Sequence, residues 1–338
     1  MIVEATTPTR IDLAGSTLDL YPLYLFLEGG ITDNTAVDWY SRVRIETRDD
    51  GEVHLRSEDL NAELVAENVE ALPVDQELGL VARVVKFYAP KTGVNVRTNS
   101  AAPHGSGIGA SSSLLIALSG ALDRINGTNL DPRLFVEYGA NLEAQVIAIP
   151  TGKQDYLAAL YGGVNAFHFG VNGWDRESLV TEEDKLRTLE QRIVLSFTGK
   201  PHFSGTNNWS MIRNFIEDQS GCRECLREIG AIAAEMREAV LAFDLDGVAE
   251  LLDREWQCRK QLAEGVTTPQ IDKLVEAAKA AGGLASKIMG AGGGGCMITI
   301  VGEGRREAVE GALAQAGATI MPFLIARTGL MVREIPSR

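Results

Sequence analysis

The chain has 338 residues, enough for about two domains and a sizeable core without disulfide or metal staples. Acidic residues outnumber basic ones 46 to 32, which argues against an extended phosphate-tracking surface for nucleic acid and leaves room only for a local basic pocket. A hydrophobic content of 45 % and a charged content of 23 % exclude wholesale disorder and a fibrous repeat. Glycine is in excess, with 35 residues, so the positions of the glycines need an explanation.

In chain order, IVEATTPTRIDLAG and SRVRIETRDDGEVHLRSE alternate β-branched and polar residues and read as strands, with DDG at 49–51 as a hairpin signal. GLVARVVKFYAP reads as a short helix ended by Pro90, and GVNVRTNSA as a strand. SSSLLIALSGALDRIN is an apolar helix closed by Gly127, and PRLFVEYGANLEAQVIAI a second helix stopped by Pro150. VNAFHFG and RIVLSFTG are strands, so His168, like His54 before it, falls in a strand and reads as structural. The polar stretch DRESLVTEEDKLRTLEQR marks a boundary, giving expected domains at 1–185 and 186–338. Four helical segments follow between Asn207 and Gly282. SKIMGAGGGGCMITIVG then reads strand, glycine loop, strand, followed by the helix GRREAVEGALAQAG and terminal strands in MPFLIARTGLMVREI. Both halves are α+β in character.

No stretch reaches the roughly 18 consecutive apolar residues of a spanning helix, and the N-terminus has no basic leader with an apolar core. The expected location is the cytoplasm, without a membrane partner. Cys222 and Cys225 form a CxxC inside a helical pattern, with no second pair at zinc spacing, and read as helix surface.

Two stretches absorb much of the glycine. PHGSGIGASSS, residues 103–113, alternates Gly105, Gly107 and Gly109 and opens directly into an apolar helix. Such a turn lets backbone approach an anion, and the free N–H groups and positive end of the helix face it. Ser111, Ser112 and Ser113 add hydroxyls that can cap the helix, bind phosphate or reach a magnesium ion. GAGGGGC, residues 290–296, contains a GxGxxG match. It runs into a strand where a dinucleotide fold needs a helix, and Gln315 stands where the acid belongs. It reads as a strand–loop–strand turn packed close to a ligand. A P-loop NTPase is excluded, because Gly199-Lys200 is followed by proline and Gly152-Lys153 by glutamine.

Three acids have contexts suited to chemistry. Asp155, just after Pro-Thr-Gly, can accept a hydroxyl proton. Glu143, on the preceding helix, can bind magnesium with a serine hydroxyl. Asp19 shares the loop TRIDLAGSTLDLYP with Arg10 and can bind sugar hydroxyls, while the arginine favours the charged form of a nearby base. GKPHFSGTNNW, residues 199–209, is either a substrate-side loop using His202, Ser204 or Asn207 or an inter-domain turn.

Together, TPTRIDLAGSTLDLY, PHGSGIGASSSLLIAL and KIMGAGGGGCMITI, in that order, resemble the three motifs of the GHMP kinase superfamily. RIDLAGSTLDL, TNSAAPHGSGIGASSS and GKQDYLAALYGGVNAFHF are similar to sugar 1-kinases of the D-glycero-D-manno-heptose 7-phosphate kinase type and their fucokinase-like relatives. The resemblance implies a two-domain α+β fold with ATP and substrate in the inter-domain cleft, and phosphoryl transfer from ATP to a hydroxyl of a sugar or sugar phosphate. It implies Asp155 as base assisted by Arg10, Ser111 and Glu143 as magnesium ligands, and Gly105, Gly107, Gly109, Ser112 and Ser113 around the phosphates. Asp19 would bind substrate hydroxyls, with Gly292, Gly293 and Gly294 beside the substrate. The implied partners are ATP and the small molecule, with a homodimer left open. The chain departs from the pattern at Ala110, where serine is common, and at Gly15-Ser16-Thr17-Leu18-Asp19, which keeps the acid of the family loop but not its neighbours. A kinase of another small alcohol, a decarboxylase of the same superfamily and a catalytically silent nucleotide-binding member stay open as alternatives.

Overall fold

The computed structural model describes residues 1–201 and 204–336, with backbone only at 204–206 and at 220. The first half runs β1 (Ile2–Ala14), α1 (Leu23–Phe26), β2 (Gly30–Arg48), β3 (Val53–Ser57), β4 (Ala62–Ala66), α2 (Gly79–Tyr88) and β5 (Gly93–Ser100). Helices α3 (Ala110–Asn126), α4 (Pro132–Ile147) and α5 (Gln154–Tyr161) precede β6 (Val164–Gly170), β7 (Gly173–Val180) and α6 (Glu183–Arg192). The second half runs β8 (Ile193–Phe197), α7 (Ser204–Glu217), α8 (Cys222–Ala242), α9 (Leu245–Arg259), α10 (Pro269–Ala280), β9 (Gly283–Ile288), β10 (Cys296–Val301), α11 (Arg306–Gln315), β11 (Thr319–Ile320) and β12 (Met331–Ile335).

These strands form two sheets. The larger has eight, in the order β12-β1-β2-β5-β3-β4, with β6 and β7 continuing from β2. The smaller has four, in the order β11-β8-β10-β9. The chain thus returns its last strand to the first sheet, antiparallel to β1. Strand β2 is long enough to pair β6 through Gly30–Thr35 and β5 through Ser41–Arg48. The β1–β2 ladder shifts register between Thr7 and Thr9, where Pro8 has no N–H to give. The shift lies next to Arg10 and Asp12.

The DDG turn does not make the expected hairpin. Strands β2 and β3 are not neighbours; β5 lies between them, antiparallel to β2 and parallel to β3. The segment after Gly51 crosses the start of β5, and Val94 N–H donates to Glu52 O at 2.9 Å. A Cβ at Gly93 would lie 2.5 Å from Glu52 O, so the crossing requires glycine there. The polar stretch at the expected boundary is ordered as strand β7 and helix α6, whose Leu186 and Leu189 reach the core. In the C-terminal segment only Met331–Ile335 makes a full strand; Ile325 contributes a single bridge to Val37.

Helix α3 has an unbroken buried run from Leu115 to Leu122 and packs under the large sheet with α2, α4 and α5. A second apolar cluster joins Ile11 and Leu13 of β1 to Leu195 of β8, Ile298 of β10 and Met236 of α8. Among the described residues no helix is long and apolar enough to cross a membrane.

The two sheets are also joined by charge. Lys287 of β9, Asp12 of β1 and Glu255 of α9 are all fully buried. The Lys287 ammonium lies 2.5 Å from Asp12, donates to Leu13 O at 3.3 Å and also to Glu255, which occupies its three donors. Burial alone would raise the Asp12 carboxyl; Lys287, then Arg10 and Arg259, outweigh it and hold that group below the usual carboxylate range. Replacing Lys287 by methionine keeps the volume and strands two buried carboxylates. The expected cost is about 3–5 kcal/mol at neutral pH, read from the urea midpoint. A midpoint within error of the unmodified chain would contradict this.

Candidate active site

The glycine loop of residues 103–109 joins β5 to α3, and Gly105, Gly107 and Gly109 all have φ between 67° and 79°. At Gly109 the left-handed backbone delivers the chain into α3, and a Cβ would stand 2.9 Å from the Asp155 side chain. A Cβ at Gly107 would lie 3.0 Å from Met289 O, and one at Gly290 would lie 3.1 Å from Gly107 O. Cys296 N–H donates to Ser106 O at 2.7 Å. The two glycine-rich stretches therefore pack backbone against backbone.

At the start of α3, Ser111 Oγ donates to Glu143 Oε1 at 2.5 Å and Ser112 Oγ to Glu143 Oε2 at 3.1 Å. The Tyr156 hydroxyl donates to the same carboxylate. Burial raises the Glu143 carboxyl above its ordinary range, against the pull of these hydroxyls. Ser113 turns the other way: its Oγ donates to Thr7 O at 3.1 Å, which fixes α3 to β1.

Arg10 lies on β1, behind the glycine loop. Its Nε donates to Asp155 Oδ1 at 2.6 Å and its Nη1 to Gly107 O at 2.7 Å. Asp155, in the first turn of α5, keeps 24 % of its side chain exposed. Burial raises its carboxyl above the ordinary range, and Arg10 opposes the shift. Asp19 is reached from α5 as well: Gln154 N–H donates to its Oδ2 at 2.9 Å. Gln154 Nε2 donates to Ser16 Oγ at 3.0 Å, and Ser16 Oγ to Asp12 at 2.6 Å. From the second half, Arg259 donates to Ser16 O at 3.1 Å, to Thr17 Oγ1 at 3.3 Å and to Gly290 O.

Many of these groups surround one cavity of about 420 Å³. Arg10, Asp19, Gly105, Gly107, Gly109, Ser111, Ser112, Glu143 and Asp155 line it. Ser113 does not, and neither do Gly292, Gly293 and Gly294; the glycine turn contributes Gly290 and Ala291 instead. Gly293 N–H is committed to Val266 O at 2.8 Å, and a Cβ on Gly292 would meet that same oxygen at 2.7 Å. Asn207 holds the turn through Ala291 O at 3.0 Å, while its neighbour Asn208 lines the cavity. His202 lies outside the described residues, as does the Ser204 side chain.

The far end of the cavity is apolar, formed by Leu60, Leu78, Val81, Leu114 and Val146, with Ser57 and Thr98 among them. Thr98 Oγ1 and Ser106 Oγ are buried cavity-lining hydroxyls without a protein partner. Buried polar atoms of this kind fit a bound polar ligand. Spacing alone did not identify this end, nor Arg259. One signal for the arginine exists in the sequence: Glu255 and Arg259 fall on the stripe of Val248, Leu252 and Trp256, all buried in α9. Charges on an apolar stripe are charges brought into the interior.

Burial, followed by the nearby Asp155 charge, pushes the Asp19 carboxyl up to about 6 from 3.8, although the Gln154 N–H favours the charged form. The folded state therefore holds this proton more tightly than the unfolded chain, and Asp19 becomes a destabilising group as pH rises from about 4 through 6. Asp19→Asn should leave stability near pH 4 little changed and raise it by up to about 3 kcal/mol above pH 7. Urea titrations at both pH values check this, and an equal effect at the two would contradict it.

Residues 79–163 match the GHMP kinases N terminal domain and residues 236–319 the GHMP kinases C terminal domain. The chain is 26 % identical to D-glycero-alpha-D-manno-heptose 7-phosphate kinase of Campylobacter jejuni, covering 97 % of this chain and 98 % of that one. It is also 26 % identical to a mevalonate kinase of Thermococcus sibiricus, covering 99 % of each. A crystal structure described as a putative sugar kinase from Campylobacter jejuni superposes with a TM-score of 0.79 at 24 % identity, covering 99 % and 98 % of the two chains. The chain belongs to the GHMP kinases, phosphotransferases that use ATP as phosphoryl donor.

Proposed function

We propose that this kinase transfers the γ-phosphoryl group of ATP to the anomeric hydroxyl of a sugar or sugar phosphate of the heptose 7-phosphate kind. The observation that carries the reading is the convergence of Asp155, Arg10 and Asp19 on one wall of a cavity whose adjoining wall is the glycine loop and the N-terminus of α3. Asp155 takes the proton of the acceptor hydroxyl, and its raised affinity for protons suits a base. Arg10 fixes the orientation of that carboxylate and balances its charge. Asp19, with Ser16 and Gln154 behind it, receives acceptor hydroxyls. Loop N–H groups and the end of α3 meet the phosphates, and the apolar end takes the nucleoside.

Ser111 and Glu143 supply hard oxygen donors at the head of α3, which suits magnesium. When bound, magnesium neutralises charge on the phosphate oxygens. Two units meeting at the cleft, 1–185 and 186–338, remain the domain division we favour, with β12 returning from the second to complete the sheet of the first.

A sugar is preferred over a carboxylate-bearing alcohol such as mevalonate for a specific reason. Among the described residues the arginines lining the cavity are Arg10 and Arg259, and both forks are already committed to protein acceptors. Neither offers the open bidentate face that a substrate carboxylate or phosphate selects, so the acceptor is met here through its hydroxyls and a phosphate on it would lie away from these two arginines.

An ADP-release assay across heptose, heptose 7-phosphate, fucose, galactose and mevalonate should give turnover with a sugar; turnover with mevalonate alone would contradict the reading. With the accepted sugar, Asp155→Asn should lower kcat by about 10² or more with ATP binding kept, and near-normal turnover at saturating sugar would remove Asp155 as base. Ser111→Ala should raise the magnesium concentration needed for half-maximal rate, whereas an unchanged titration would take Ser111 out of the metal shell.

A further inference from the structure

The loop of residues 15–19 carries a conformational oddity at its centre. Thr17 has φ +83°, in the left-handed region, and its side chain is buried. A β-branched residue is disfavoured there and persists only where its surroundings over-determine it. The described side-chain contacts of Thr17 come from the second half of the chain. Its Oγ1 donates to Met211 Sδ of α7 at 3.6 Å and accepts from Arg259 Nη1 of α9 at 3.3 Å. The same guanidinium takes Ser16 O at 3.1 Å and, through its other terminal nitrogen, Gly290 O. One side chain thus ties residues 16 and 17 to the glycine turn that packs on the phosphate loop. Asp19 is two residues further along.

Arg259 stands near a second anchor of the same loop. Glu255, one helical turn earlier on α9, ends in the buried cluster with Lys287 and Asp12, and Asp12 accepts from Ser16 Oγ. The loop is therefore gripped from two sides, by Arg259 at its backbone and by Asp12 at the Ser16 hydroxyl. A lysine at 259 would not reproduce this, because Nη1 and Nη2 of the planar fork reach the two loops from separate atoms, whereas an ammonium offers a single nitrogen.

We infer that Arg259 is a positioning residue for the acceptor, holding residues 15–19 in a strained conformation that presents Asp19 to the cavity and keeping that loop in register with the turn at Gly290. The inference rests on the reading that this loop binds the acceptor.

Amide exchange tests it without any acceptor, on the full chain. In Arg259→Met, peptides covering residues 15–20 and 289–293 should exchange about tenfold faster or more, while β5 is unchanged. Arg259→Lys should lie between the two. If Arg259→Met does not fold, Thr17→Val, which exchanges the hydroxyl for a methyl group, should raise exchange at 15–20 in the same direction by less. Unchanged exchange in these peptides, or an equal rise across the whole chain, would overturn the inference. With heptose 7-phosphate as acceptor and a non-hydrolysable ATP analogue as titrant, Arg259→Met should raise the acceptor KM about tenfold or more with the analogue's Kd within about twofold. A matching loss of nucleotide affinity would make Arg259 merely structural. Failure of every acceptor in the unmodified chain would sink the sugar-kinase reading and leave the exchange result to stand by itself.

Discussion

The Lys287 ammonium sits out of reach of solvent, with Asp12 on one side and Glu255 on another. Three charges cannot be buried there unless each finds its partners, so β1, β9 and α9 have essentially one mutual arrangement open to them. Such a cluster adds little net stability compared with apolar packing, but it discriminates strongly against misplacement. Its consequence is spatial: β1 carries Arg10 toward Asp155, β9 leads into the glycine turn, and α9 carries Arg259 into the cleft. The cavity is lined by residues from both halves of the chain because this junction fixes how the halves meet.

The site turns an acid excess to use. The protein carries a net charge of −14 and is expected to handle a polyanion. In the function we propose, the phosphates meet a wall made from backbone, with glycines that admit close approach and a helix end that presents N–H groups. The carboxylates are kept apart in role by what surrounds them. Asp155 is tied to Arg10, Glu143 is ringed by three hydroxyls, and Asp19 receives a backbone N–H and is raised by burial. A carboxyl raised in this way is expected to cost stability at neutral pH, which fits the acceptor-binding role we propose for Asp19.

Much of this was legible in the sequence because it is written in local patterns. The glycine loop opening into α3 was visible as alternating glycine before an apolar helix, local context singled out Asp19, Glu143 and Asp155, and the family resemblance gave them roles together with Arg10. What was not legible depends on long-range placement. DDG signalled a hairpin, but β5 inserts between the two strands, and only the missing Cβ of Gly93 hints at the crossing. Gly292 to Gly294 are as glycine-rich as any phosphate loop, yet Gly292 and Gly293 pack against Val266 and the cavity is met by Gly290 and Ala291. Arg259 lies in none of the three motifs, and Lys287, though it opens KIMGAGGGGCMITI, was given no role there. Their importance lies in partners more than two hundred residues away in sequence, Ser16, Thr17 and Asp12.

The central claim is that the cleft directs the γ-phosphoryl group to the anomeric oxygen of a sugar. Phosphorus–proton coupling in the purified product measures this most directly. The account predicts a phosphomonoester whose phosphorus couples to the anomeric proton. A phosphate coupled to the proton of any other carbinol carbon, or released only as inorganic phosphate, would contradict it.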